Sequence, residues 1–169
     1  DTPRGESSPI VEHPDVRRML MTMKAQIEAL RCLIYRNAAA MDLAKYGADE
    51  TERSHNQDLA ELLTPLSKAW GTDLGTEITS MAMQVYGGVG YIEETGVAQL
   101  YRDVRIAAIY EGTNGIQAID LVGRKLAMRG GEVVNELIGQ IGQTVRSLIE
   151  ADLTDIADRL EAAAADLSA

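Results

Sequence analysis

The 169-residue chain contains no phenylalanine, one tryptophan, one cysteine and two histidines. A single cysteine, Cys32, excludes an intrachain disulfide and suits a reducing compartment, so a cytoplasmic location is expected. Two histidines and one cysteine are too few for a zinc cage. No apolar run approaches the ~20 residues a membrane-spanning helix requires, and the opening DTPRGESS lacks the apolar stretch of a secretory signal. Cations are outnumbered too. Sixteen Lys plus Arg stand against 26 Asp plus Glu, a formal charge of −10, which argues against nucleic acid because phosphate backbones demand clustered cations. What is present is the composition of an ordinary globular domain, 46% hydrophobic and 25% charged, and long enough to bury one core.

Periodicity then assigns helices throughout. Val16, Met19, Leu20, Met23, Ile27, Leu30 and Ile34 recur at steps of three or four, predicting a helix from Pro14 to about Lys45 that stops at Gly47. Pro14 suits a first turn, where its missing N–H leaves nothing unpaired, and Asp15 complements the positive helix end. The polar segment 48–58 reads as a loop. Leu62, Leu66, Ala69, Trp70, Leu74, Ile78, Met81 and Val85 continue a second pattern to Tyr86, with a break expected at Pro65 and Thr64 capping a new helix there. The glycines of YGGVGY end it. Thr95 is the expected cap of a third helix reaching about Tyr110, and Thr113 or Asn114 that of a fourth running through Leu126. After Gly130 and Gly131 the character changes: residues 132–169 hold eight acidic and two basic residues, so −6 of the net charge lies there, on two further helical patterns. With no alternating strand and no internal repeat, the expected fold is all-α, an antiparallel helical bundle followed by an acidic helical appendage. The boundaries drawn are 1–12 as a linker or residual upstream segment, 13–129 as the bundle, and 130–169 as the start of an additional helical region.

Few residues stand out for chemistry. Gly87, Gly88 and Gly90 follow a helix rather than a strand, which removes a dinucleotide fingerprint and leaves either helix caps or bare backbone that a ligand can approach. Glu111, between the apolar RIAAIY and a glycine, reads either as a solvated residue at a helix break or as a partly desolvated carboxylate fit to act as a base. His13 and His55 suggest neither a metal nor a catalytic pair. Cys32 reads as a small core or boundary residue, the methionines as core filling, and Arg102, Asp103 and Arg105 as a surface charge cluster.

The run MAMQVYGGVGY followed by LYRDVRIAAIYEGTNGIQA closely resembles the C-terminal helical domain of acyl-CoA dehydrogenases, in particular a longer bacterial, 3-methylmercaptopropionyl-CoA dehydrogenase-like branch. The resemblance is collinear from about Ile10 to Leu126. It implies that Glu111 removes the α-proton of an acyl-CoA thioester while the β-hydrogen passes as hydride to FAD, yielding a 2-enoyl-CoA. The backbone N–H of Glu111 would meet the charge developing on the thioester oxygen, and Gly112 would allow the substrate close. Gln84, Gly87 and Gly88 match positions touching the ADP half of a FAD held mainly by a neighbouring subunit, and Thr113 and Asn114 match positions beside the flavin and its pyrophosphate. The resemblance also implies a homo-oligomer, dimer or tetramer, with an electron-transferring flavoprotein as acceptor. Pro14, Gly115, Ala118 and Gly123 depart from residues common in relatives. The family's N-terminal helical domain, middle β-domain and Arg-x-x-Phe-Gly helix have no counterpart here, so a fragment inactive alone is expected, as the first residue Asp1 also suggests. The alternatives are a fragment of an acyl-CoA oxidase and a non-catalytic helical oligomerisation module.

Overall fold

Helix α1 covers Pro14–Tyr46, with Pro14 in its first turn and the Gly47 N–H bonded to the Leu43 carbonyl at 2.8 Å. The computed structural model describes residues 8–168. Of the expected linker, residues 1–7 lie outside them, and Ile10–Glu12 form a 3-10 turn leading into α1. The apolar stripe of α1 is only partly covered. Met19 is buried, whereas Leu20, Ile27 and Ile34 are exposed, because α2 covers one narrow face of the helix.

The expected loop at 48–58 is helical. Helix α2 spans Glu50–Tyr86, and Asp49 starts it by accepting the Glu52 N–H at 2.8 Å while the Glu52 carboxylate accepts the Ala48 N–H. This reciprocal cap satisfies the Glu52 N–H, which a helix start leaves orphaned, and ties the preceding residue to the first turn. Most of the polar residues that resembled a loop lie on the outside of a helix, paired as Arg53 with Glu50 and Gln57 with Glu61, while Asn56 is buried and donates to the Glu52 carbonyl. Neither does Pro65 break the helix. Buried beside Leu62 and Leu63, it lies inside α2, and the Thr64 hydroxyl donates to the Ala60 carbonyl at 2.7 Å rather than capping a new helix.

A three-residue connection makes α1 and α2 antiparallel: Leu30 meets Gly71, while the Asn37 side chain donates to the hydroxyls of Thr64 and Ser67. Glycine ends α2 as expected. Gly87 has φ 65° and ψ −150°, a region essentially confined to glycine. A single turn, α3 (Gly88–Tyr91), comes next, then a 3-10 turn at Glu93–Thr95 and α4 (Val97–Arg105), which packs on α2. Thr95 does not cap α4. Its hydroxyl is committed to the Val89 and Ile92 carbonyls, and left-handed Gly96 occupies the cap position. The third helix, expected to reach about Tyr110, ends at Arg105 and gives way to a 3-10 turn at Ile106–Ala108; α5 (Asn114–Asp120) begins inside the EGTNG interruption expected at residues 111–115.

The chain divides into two compact units, one up to Ile119 and one from Asp120. In the second, the expected α-helix through Leu126 is replaced by a π-helical turn at Leu121–Lys125. Left-handed Arg129, Gly130 and Gly131 then turn the chain into α6 (Glu132–Glu150), which packs on α7 (Thr154–Ser168) around Val133, Val145 and Ala157. The Asp120 carboxyl is held below the ordinary carboxylate range by a hydrogen bond from the Arg124 side chain. Its contribution is present above that range and fades as the pH falls through the lowered value. No strand occurs among the described residues, in keeping with the expected all-α fold, and no helix is long and apolar enough to cross a membrane.

Gly90 is buried where an added Cβ would stand 2.6 Å from the Met83 carbonyl oxygen and 2.7 Å from the Tyr86 Cβ, while a Cβ at Gly88 meets nothing within 4 Å. Gly90→Ala is expected to destabilise by about 1–3 kcal/mol and Gly88→Ala by far less, measured as chemical denaturation midpoints with an unchanged slope.

Candidate functional site

The chain leaves the α4 region through two consecutive left-handed residues, Glu111 at φ 52° and Gly112 at φ 86°. For glycine this backbone is free; for Glu111 it costs roughly 1–2 kcal/mol, so the surroundings must hold it. Thr113 then starts α5: its hydroxyl accepts the Ile116 N–H at 3.4 Å and its carbonyl the Gln117 N–H at 3.1 Å. The expected choice between Thr113 and Asn114 as cap thus falls to Thr113. Glu111 is exposed, not partly desolvated within this chain. Around Gly112 space is short, since a Cβ would approach the Gln117 amide nitrogen to 3.0 Å.

What holds the loop comes from α2. The Lys68 ammonium donates to the Gly112 carbonyl oxygen at 2.6 Å and to the Asn114 Oδ1 at 3.1 Å. The Asn114 amide nitrogen donates to the Asp73 carboxylate at 2.7 Å, and lies 3.0 Å from the Thr72 hydroxyl and 3.1 Å from the Ala69 carbonyl. Thr72 in turn donates to the Lys68 carbonyl at 2.8 Å. Both ends of the Asn114 side chain are therefore occupied inside the protein. Lys68, Thr72 and Asp73 were not among the residues singled out from sequence. The signal for Lys68 and Thr72 is a polar stripe, Lys68, Thr72, Thr76 and Thr79, running at helical spacing along a segment read only for its apolar face.

Gln84, Gly87 and Gly88 come together elsewhere. They line a hollow of about 400 Å³ with Ser80, Met83, Tyr91 and Tyr101, and a Cβ at either glycine would meet nothing within 4 Å. Thr113 and Asn114 instead face a cleft of about 570 Å³ shared with Asp73, Thr76, Arg105 and Ile109. Neither depression includes Glu111, so the structure gathers the expected cofactor residues into two groups and leaves the expected base at the surface.

The other notable residues carry no comparable arrangement. His55 lies within α2 rather than in a loop, Cys32 is exposed on α1 rather than in the core, and Arg102 forms an exposed ion pair with Glu93 at 3.3 Å, of a kind that contributes little. Among the described residues no cluster of His, Cys, Asp or Glu has the makings of a metal site.

A family model described as acyl-CoA dehydrogenase, C-terminal domain, matches residues 2–127. A 3-methylmercaptopropionyl-CoA dehydrogenase of Ruegeria pomeroyi is 45% identical over 166 residues, 97% of this chain and 28% of that protein. A butyryl-CoA dehydrogenase of Syntrophomonas wolfei is 41% identical over 143 residues, 85% of this chain and 23% of that protein. The chain thus spans about a quarter of the length of these curated relatives. Among solved structures, the apo form of Bd2924 matches with a TM-score of 0.72 over 93% of this chain and 33% of its own; at 20% identity the likeness is one of fold.

Asn114→Ala leaves the half-buried Lys68 ammonium one partner short, while the exposed Asp73 carboxylate turns to water. A loss of roughly 1–2 kcal/mol is expected, read by denaturant titration of the protein, whereas Thr113→Ser, which keeps the capping oxygen, should lie within about 0.5 kcal/mol of the parent.

Proposed function

The chain belongs to the acyl-CoA dehydrogenase family, matching its C-terminal domain, and we propose that within a longer protein it supplies Glu111 as the base for α,β-dehydrogenation of an acyl-CoA thioester. The observation that carries this is the Glu111–Gly112 pair, left-handed at an exposed loop whose Gly112 carbonyl and Asn114 side chain are bonded to Lys68. A carboxylate fixed on its backbone yet open to the outside can take a proton from a bound molecule without first reorganising the loop. The α-proton of a thioester is only weakly acidic, so abstraction requires donors aimed at the carbonyl oxygen where charge develops; the backbone N–H of Glu111 is one such donor. Gly112, without a side chain, lets the thioester approach.

FAD fits the residues present. Gly87 and Gly88 expose backbone with open space where a Cβ would stand, at a hollow edged by Gln84, and these three would hold its ADP half. Thr113 and Asn114 would flank the flavin side, Asn114 through its backbone because its amide is engaged with α2. Bound there, FAD supplies the acceptor for the β-hydrogen, and an electron-transferring flavoprotein would take the electrons onward. The uncovered apolar residues of α1, among them Leu20, Ile27, Ile34 and Tyr35, support burial against other parts of a homo-oligomeric parent enzyme. By itself the 169-residue chain has no turnover and binds FAD weakly; a near-stoichiometric flavin spectrum co-purifying with it would refute that.

In the full-length enzyme, Glu111→Gln is expected to lower acyl-CoA oxidation by about 10³-fold or more while FAD content stays at the parent level. Oxidation persisting at the parent rate would remove Glu111 as the base.

A further inference from the structure

The cation that reaches furthest into the Glu111 loop comes from a helix more than forty residues upstream. Lys68 is half-buried in α2, with its ammonium 2.6 Å from the Gly112 carbonyl oxygen and 3.1 Å from Asn114 Oδ1. The first bond fixes the peptide plane after Gly112, the residue whose backbone is freest to wander; the second joins that plane to the start of α5. Glu111 precedes Gly112 directly and carries the less favourable backbone, so anchoring the Gly112 carbonyl and Asn114 on its C-terminal side limits how far the loop that bears it can move. A surface lysine would have met water. This one instead shares Asn114 with Thr72, and Thr72 also binds the Lys68 carbonyl, so both loop contacts start from a single turn of α2.

We propose that Lys68 is a positioning residue for the reaction: by charge-assisted hydrogen bonds to Gly112 and Asn114 it holds the Glu111 carboxylate and the Glu111 N–H in the geometry that proton abstraction requires. The proposal rests on Glu111 being the base. It assigns Lys68 no contact with substrate or cofactor. Loss of the ammonium lets the loop sample other backbone conformations, which slows the chemical step more than it weakens substrate binding, because a displacement of about 1 Å at a reacting group costs on the order of 10²-fold in rate.

The test uses the full-length enzyme with Lys68→Met, Lys68→Arg, Glu111→Gln and the Lys68→Met/Glu111→Gln double variant. Lys68→Met is expected to lower kcat about 10- to 100-fold with KM within about threefold of the parent and unchanged FAD content. Amide hydrogen exchange across residues 110–114 should quicken, in the apoenzyme as well. Lys68→Arg, retaining donors on a long stem, should recover part of the rate and the exchange protection. In the Glu111→Gln background Lys68→Met should change the residual rate little. If Glu111→Gln abolishes turnover while Lys68→Met matches the parent in kcat and exchange, the role of Lys68 is overturned and the base remains; if Glu111→Gln is active, the underlying reading fails instead. A parallel fall in kcat, melting temperature and FAD content that Lys68→Arg does not repair marks a merely structural lysine and also overturns the proposal. Should Lys68→Met not fold, Lys68→Gln, a donor on a shorter stem, is judged by the same criteria.

Discussion

Pro65 withholds an N–H that α2 would otherwise bond, and the molecule depends on α2 continuing past it. A proline in a helix interior costs about 3 kcal/mol, enough to end most helices. Here it is buried along with Leu62 and Leu63, the Thr64 hydroxyl binds the Ala60 carbonyl, and Asn37 of α1 reaches both Thr64 and Ser67. Tertiary packing on both sides of the proline outweighs the one lost bond. Unbroken, α2 presents Lys68, Thr72 and Asp73 to the Glu111 loop and, further along, delivers Gln84 and Gly87 to a hollow of their own.

The Glu111 loop shows the same balance at smaller scale. Left-handed Glu111 stores conformational cost in the segment where a base is proposed to act, a pattern found where geometry matters more than local comfort. That cost is offset at a distance. The bonds from Lys68 replace water contacts with fixed ones in a partly buried setting, where hydrogen bonds to charged groups are worth about 1.5–3 kcal/mol each, while the Asn114 bond to the exposed Asp73 carboxylate adds less. The negative charge that dominates the composition is remote in sequence from this chemistry. It is concentrated on α6 and α7, whose pairing rests on the few buried contacts of Val133, Val145 and Ala157.

Much of this was legible in the residues. Apolar periodicity located α1, the later part of α2, α6 and α7, and glycine placed the ends at Gly47 and Gly87 because helix termini there need only local chemistry. Periodicity was silent where polar side chains sit on the outside of a helix, so the segment after Ala48 read as loop although Asp49 and Glu52 already spelled out a reciprocal cap. Thr95 had the chemistry of a cap but found nearer carbonyls. Glu111 was conspicuous as a residue, yet its backbone conformation and its exposure were not.

The sequence by itself determined the helical class, the acidic end and the family to which the chain belongs, since these rest on composition, spacing and the order of short motifs. Tertiary structure alone decided that α2 runs through Pro65, that the stripe of α1 is half uncovered, and that a lysine and a threonine of α2 grip a loop more than forty residues away. The reason is physical: caps and periodicity act within a few residues, whereas the energies that overrule a proline or sustain a left-handed glutamate arise between segments that only folding brings together.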